Sequence, residues 1–155
     1  MGERAVEEYD DEWFAAWQQR MIDSGGNVIV ALGLRPVEES TERAVVEMPM
    51  GPNVRQGTGV FAAGALIQLA DLAATILCFR IVDPDRSRDD VPLPLAVQIS
   101  TNLIRNTDHG KAIAEARPLH AGRTLIVVES RITDEEGTLL AVMNSTHVVR
   151  RPANG

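Results

Sequence analysis

The chain has 155 residues, 45% of them hydrophobic, enough to close one apolar core without metal or disulfide support. Its formal charge of -7 and a pI near 4.9 argue against nucleic acid and anionic membrane surfaces as partners, since both reward basic patches. A single cysteine, Cys78, excludes an internal disulfide, and the acidic start MGERAVEEYDDEW carries no signal-peptide apolar segment, so the expected location is the cytoplasm.

From Asp10 to about Ser24, Trp13, Phe14, Trp17, Met21 and Ile22 recur on one side, an amphipathic-helix spacing ended by Gly25-Gly26. This predicts an apolar lid, with residues 1–26 as a helical extension, 27–150 as the main domain and 151–155 as a disordered tail. Leu32 to Glu39 and Arg43 to Met50 read as a short strand pair turned at Ser40-Thr41, which Pro49 and Pro52 bring to a stop. Gly57-Thr58-Gly59 lacks the lysine of a phosphate loop and a preceding parallel strand, so it reads as flexible backbone leading into the next element.

Val60 to Phe79, VFAAGALIQLADLAATILCF, is an almost unbroken apolar helix with one carboxylate, Asp71, near its middle. A membrane span would carry that charge at a cost of about 3 kcal/mol, and Gln68 adds polar burden, so the stretch reads as a buried core helix instead. The carboxylate is then either tied up by a backbone or hydroxyl donor, or it works as a catalytic group in an apolar cleft where desolvation strengthens its basicity. Cys78, with no histidine near it in sequence, reads as a small core residue.

Val82 to Pro94 is a charged, proline-broken loop. Four strands follow: Leu95 to Ile104, Lys111 to Leu119, Thr124 to Thr133 and Leu139 to Val149, the last two flanking a turn at Asp134-Glu135-Glu136-Gly137 and the last three forming consecutive hairpins. His109, His120 and His147 show no metal-ligand spacing, which predicts no metal site. In Ser145-Thr146-His147, sequence neighbours on a strand point to opposite faces, which argues against a local Ser-His pair. The order of elements lacks the βαβ alternation of a parallel sheet and predicts an α+β fold, an antiparallel sheet wrapped around one helix. Such a sheet has open edges, and pairing edge to edge with a second copy is a simple remedy.

The run QGTGVFAAGALIQLADLAAT resembles the hotdog-fold acyl-CoA thioesterases, in the branch that holds the phenylacetate-pathway and 4-hydroxybenzoyl-CoA thioesterases. ISTNLIRN, RPLHAGRTLIVVESRITDEEGTLLA and the closing STHVV are similar to later strands of that family, so the resemblance spans about Leu32 to Val149 and leaves the amino-terminal helix outside. It implies that Asp71 attacks a thioester carbonyl or activates water to do so, while the N–H groups of Ala63 and Gly64 hold the developing oxyanion. It implies roles for Gln56, serving the opposite subunit, and for Thr75, which stands at i+4 from Asp71 on the same helix face. Arg105 and Arg123, with Lys111 or Arg88 in addition, are implied contacts for the phosphates of coenzyme A. Phe61 and Ala62 join the substrate-binding set, and Trp13, Phe14, Trp17 and Phe79 are other side chains that could shorten the acyl pocket. A homodimer with shared sites is implied, doubling to a tetramer, and no cofactor is needed because coenzyme A is part of the substrate.

One feature departs from the family: its His-Gly-Gly at the helix start is Ala62-Ala63-Gly64 here. The histidine side chain is lost, whereas the backbone donor survives any replacement except proline. The hydrolase reading therefore stands beside a second one, a non-hydrolytic acyl-CoA binding or sensing module using the same groove. Hydration or dehydration of an enoyl thioester ranks last, since it typically uses an Asp and His pair near the helix start.

Overall fold

The computed structural model describes residues 7–25, 27–88 and 91–150, and the expected tail over 151–155 lies outside them. Strand β1 (Glu7–Glu8) leads into helix α1 (Asp11–Asp23), short helix α2 (Val28–Ala31), strands β2 (Arg35–Glu39) and β3 (Ala44–Pro49), and the long helix α3 (Ala63–Val82). Strands β4 (Leu93–Leu103), β5 (Lys111–Ala121), β6 (Leu125–Thr133) and β7 (Leu139–Arg150) complete the chain. The seven strands make one antiparallel sheet in the order β1-β2-β3-β5-β6-β7-β4, and its inner face curls around α3, the hotdog arrangement that the resemblance implies.

Side-chain size decides how the helix and sheet meet. The inward positions of β5 are Ala112, Ala114 and Ala116, all fully buried, and α3 answers with Ala65, Ala70, Ala73 and Ala74. Small residues on both sides let the helix lie close to the centre of the sheet. Larger ones fill the flanks, with Val46 and Met48 from β3, Ile126, Val128 and Ile132 from β6, and Leu140 and Met143 from β7. By length and composition α3 could cross a bilayer, with mean hydropathy 1.8, yet most of its faces are packed against protein.

The six strands and two main helices read from the sequence are present, with shifted ends. Helix α3 begins at Ala63 rather than Val60 because Phe61 is extended, bridging Arg55 and donating its N–H to Thr107 O at 3.2 Å. It runs on to Val82, where Asp83-Pro84 ends it. Strands β5, β6 and β7 are the expected consecutive hairpins, and the turn at Asp134 is closed by Gly137 at φ 84. Helix α2 and strand β1, only four and two residues long, give no periodic signal. The Asn27 side chain caps α2 by accepting from the N–H groups of Ile29 and Val30, and Gly33 at φ 67 turns the chain out of it.

The expected apolar lid is only partly closed. Asp10 caps α1 by accepting from the Trp13 N–H at 2.8 Å, but no residue of the helix is fully buried. Its aromatic rings stack on one another instead, Tyr9 on Trp13 at 3.6 Å and Trp13 towards Trp17 at 6.1 Å, and the Arg35 guanidinium lies over Phe14. At the sheet's other edge, β4 pairs with β7 and with no other strand among the described residues. Ile99 and Leu103 oppose the inward-facing Ser145 and Ala141, so they lie on the helix side of the sheet, yet they are 43% and 50% exposed.

Candidate active site

Asp71 stands midway along α3 and is half-buried. Its Oδ1 is shielded from solvent and has no hydrogen-bond partner among the described residues. The nearby hydroxyl of Ser130 donates elsewhere, to the Ala70 carbonyl at 3.3 Å. Of the two readings open for this carboxylate, the one in which a backbone or hydroxyl donor ties it up finds no such donor at Oδ1 among the described residues. Burial pushes the Asp71 pKa above its ordinary value, with the charge of His147 acting against the shift. A carboxylate in that setting is a stronger base than one in water.

Strand β7 supplies a correction. Ser145 and His147 are two residues apart, share the inward face, and are both fully buried, with Ser145 Oγ 3.0 Å from His147 Nε2. The argument against a Ser-His pair considered adjacent residues; the period of two that sends Thr146 outward brings its neighbours together. Burial lowers the His147 pKa and Asp71 raises it, so the two groups sense each other across the α3–β7 contact. Cys78, seven residues beyond Asp71, is buried with its thiol pushed up to about 12 by desolvation first and by Asp71 second, which keeps it protonated and inert.

The start of α3 presents bare backbone. Ala62 is the cap residue and makes no side-chain capping bond, while its own N–H donates to Val54 O at 2.7 Å. The N–H groups of Ala65 and Leu66 turn back to Ala62 O. Those of Ala63 and Gly64 have no acceptor among the described residues, and both residues are exposed. A Cβ on Gly64 would meet nothing within 4 Å, so the approach is open. Phe61 does not border that approach: its side chain is packed fully into the core, and its carbonyl accepts from Asn106 Nδ2 at 2.8 Å.

The remaining expected residues are spread out. Gln56 is exposed in the turn before α3 and donates to Thr58 Oγ1 at 2.9 Å, not to Asp71 of its own chain. Thr75 is half-buried one turn beyond Asp71. Arg105 and Arg123 are both exposed, and neither guanidinium has an ion-pair partner among the described residues. Arg105 follows β4 beside Asn106, at the end of the sheet where α3 begins, whereas Arg123 lies in the β5–β6 turn at the opposite end. A strand of the length of β5 separates those ends by about 30 Å, so one chain cannot turn both on one phosphate. Lys111 is held by Glu47 at 2.6 Å, and Arg88 lines a cavity of about 400 Å³ with Trp13, Trp17 and Phe79.

The thioesterase superfamily profile matches residues 58–141, from the turn before α3 into β7. ComA2 of Bacillus subtilis is 30% identical over 128 residues, covering 83% of this chain and 98% of its own. A 1,4-dihydroxy-2-naphthoyl-CoA hydrolase of Listeria monocytogenes is 28% identical over 120 residues, covering 77% and 93%. Among solved structures, the thioesterase HI1161 of Haemophilus influenzae superposes with a TM-score of 0.77 at 20% identity, covering 96% of this chain and 97% of its own, and the Escherichia coli PaaI protein with 0.68 at 19%, covering 88% and 94%. The sheet wrapped on α3, the matched segment that carries both Asp71 and the bare helix start, and these relatives agree: the chain belongs to the thioesterase superfamily, a family of hydrolases acting on thioesters.

Proposed function

We propose that this chain hydrolyses acyl-CoA thioesters with Asp71 as the reacting carboxylate. The observation that carries the reading is the Asp71 Oδ1, shielded and unbonded inside the segment that matches the superfamily. In the general-base route Asp71 takes a proton from water as the hydroxide adds to the thioester carbon. The C–S bond then breaks, and the proton returns to the leaving thiolate to give the free acid and coenzyme A. In the nucleophilic route the carboxylate adds first, thiolate leaves, and water hydrolyses the mixed anhydride. The N–H groups of Ala63 and Gly64 hold the oxyanion in either case.

Donor and carboxylate are eight residues apart on one straight helix, about 12 Å along its axis, whereas a reacting carbonyl must lie about 3 Å from both. This spacing favours a site assembled from two chains, the helix start and Gln56 from one and Asp71 with Thr75 from the other. The uncovered Ile99 and Leu103 on the free β4 edge support a homodimer, which a second pairing would double to a tetramer. Arg105, next to the loop that holds the helix start, is the better placed of the two arginines to meet the coenzyme A phosphates, with Arg123 contributing from a partner's opposite end. The one cysteine, buried and free, suits the cytoplasm.

Purified protein is offered short, medium, long and aromatic acyl-CoAs with a thiol-trapping dye, the aromatic arm being prompted by the naphthoyl-CoA hydrolase from Listeria. Saturable turnover that Asp71→Ala abolishes is the expected result. Saturable binding without turnover would establish the sensing module instead, a reading that Ala62 and Ala63 in place of His-Gly keep in view.

A further inference from the structure

Inside a core of Ala, Val, Ile, Leu and Met, the inner face of the sheet carries a patch of three fully buried polar side chains, Ser130, Ser145 and His147. Ser145 opposes Val128 and Ser130 opposes Met143, so the two serines are diagonal neighbours on β6 and β7, with His147 next along β7. Ser130 anchors the helix turn at Ala70, which places the patch beneath Asp71. Burying an imidazole with one nitrogen unmatched is expensive, and a core that needed only packing would fill the position with an aliphatic side chain.

We propose that the Ser145–His147 pair is the positioning device for Asp71: Ser145 donates its hydroxyl proton to His147 Nε2, which leaves the proton on Nδ1, and the Nδ1–H is presented to Asp71 Oδ1 across one water. The inference rests on the reading of Asp71 as the reacting carboxylate. Its support is complementarity between two orphaned atoms. His147 Nδ1 and Asp71 Oδ1 are both shielded from solvent and both without a partner among the described residues, one a donor in this tautomer and the other an acceptor. Each is also the charged neighbour whose field acts on the other. With Oδ1 held from below, Oδ2 is the oxygen left to face the cleft. His147 is buried and touches no substrate, so its part is to orient the carboxylate and hold its charge.

Among the described residues no other titratable group competes for Asp71. On its own helix Cys78 is protonated, and Arg80 is taken by Glu7 and Glu39. The inward positions of β3, β5 and β6 are apolar or Ser130, β2 adds only the Glu39 already paired, and β4 carries no ionisable residue.

The test compares His147→Leu, His147→Gln and Ser145→Ala on the best acyl-CoA of the panel, together with the imidazole NMR titration of His147 in wild type and in Asp71→Asn. The expected pattern is a kcat loss of about tenfold in His147→Leu with KM nearly unchanged, the acid limb of the kcat profile moved to higher pH, and most of the activity kept by His147→Gln, whose amide can still donate. In the Asp71→Asn background His147→Leu should add no further loss, and His147 should titrate at lower pH there than in wild type. A folded His147→Leu with wild-type kcat and an unmoved pH profile overturns the proposal. Should His147→Leu fail to fold, His147→Gln, Ser145→Ala and the NMR titration carry the same decision. If wild type hydrolyses nothing, the thioesterase reading falls, and an identical His147 titration in wild type and Asp71→Asn then overturns the pairing separately.

Discussion

Ala63 is the first residue of α3, the position at which proline is tolerated because its missing N–H has no partner in the helix. Ala62 before it already holds φ -67 and ψ 137, the extended conformation that a following proline demands, and Ala63 is exposed, so the ring has space. Ala63→Pro therefore removes one proposed oxyanion donor and leaves the fold alone. Loss of such a donor costs about 100- to 1000-fold in kcat, roughly 2.7–4 kcal/mol. The melting temperature should hold or rise slightly, since proline narrows the unfolded ensemble. The decisive assay mixes this variant with Asp71→Ala by co-expression. If each site takes its helix start from one chain and its carboxylate from the other, a mixed dimer has one intact site of two. Half the dimers are mixed at equal expression, so about a quarter of wild-type activity returns from two nearly dead parents. Mixed protein no more active than its parents refutes the two-chain site, and Ala63→Pro at wild-type kcat refutes the donor itself.

Asp71→Asn should lower hydrolysis at least about a hundredfold, some 2.7 kcal/mol of transition-state stabilisation, and at the same time stabilise the fold. Because burial raises the Asp71 pKa, the folded chain holds that proton more tightly than the unfolded one. The stability this gives is present below the unfolded pKa of about 4 and lost as pH rises through the folded value, so the variant's gain in melting temperature should be seen at pH 8 and vanish near pH 4. A lower melting temperature than wild type at pH 8 contradicts the sign. His147 runs the other way: its depressed pKa means that stability falls as pH drops below about 6.5, and His147→Gln should flatten that slope in a pH series of thermal melts. Ile99→Lys on the free β4 edge should yield a folded but inactive monomer by light scattering, and an unchanged oligomer would clear that edge of any role in assembly. Arg105→Ala should raise KM for acyl-CoA several-fold, with a salt dependence weaker than wild type and kcat little changed, whereas equal effects on a small thioester lacking the nucleotide would exclude a phosphate contact.

Much of this architecture was legible because the buried positions follow simple periods. KAIAEARPL alternates so regularly that β5 and its alanine face can be read directly, and the apolar run on either side of Asp71 marks α3 as the element everything else wraps. Hidden were the features that depend on which strands become neighbours. β4 joins β7 across the sheet rather than β5, its next strand in sequence, and Lys111 finds Glu47 across a strand pair. Arg105 and Arg123 read as equivalent in the sequence, yet the topology puts them at opposite ends. Trp13, Phe14 and Trp17 have helical spacing, but spacing does not disclose that their rings stack on one another more than on the core. The Ser145–His147 pair was within reach of the sequence, since a period of two on an inward-facing strand sets it out.

Two groups of charged or polar side chains among the described residues, each partly or fully buried, contrast in a way that separates stability from the proposed function. At the carboxyl end of α3, Arg80 meets Glu7 at 2.9 Å and Glu39 at 3.7 Å, and Arg86 also pairs with Glu39, so opposite charges answer one another and tie β1 and β2 to the helix end. Buried polar atoms without a hydrogen bond occur in both groups, but Asp71, midway along the same helix, and His147 on β7 also have no ion-pair partner among the described residues, with Ser145 and Ser130 as their polar company. An ion-pair network can persist because it fixes how elements dock, but a half-satisfied polar cluster weakens the fold at every pH where Asp71 is charged. An aliphatic residue at either position would be better for folding alone. A carboxylate placed where it lowers stability is what the proposed chemistry at Asp71 requires, since the desolvation that destabilises the folded chain is the same force that makes the carboxylate basic.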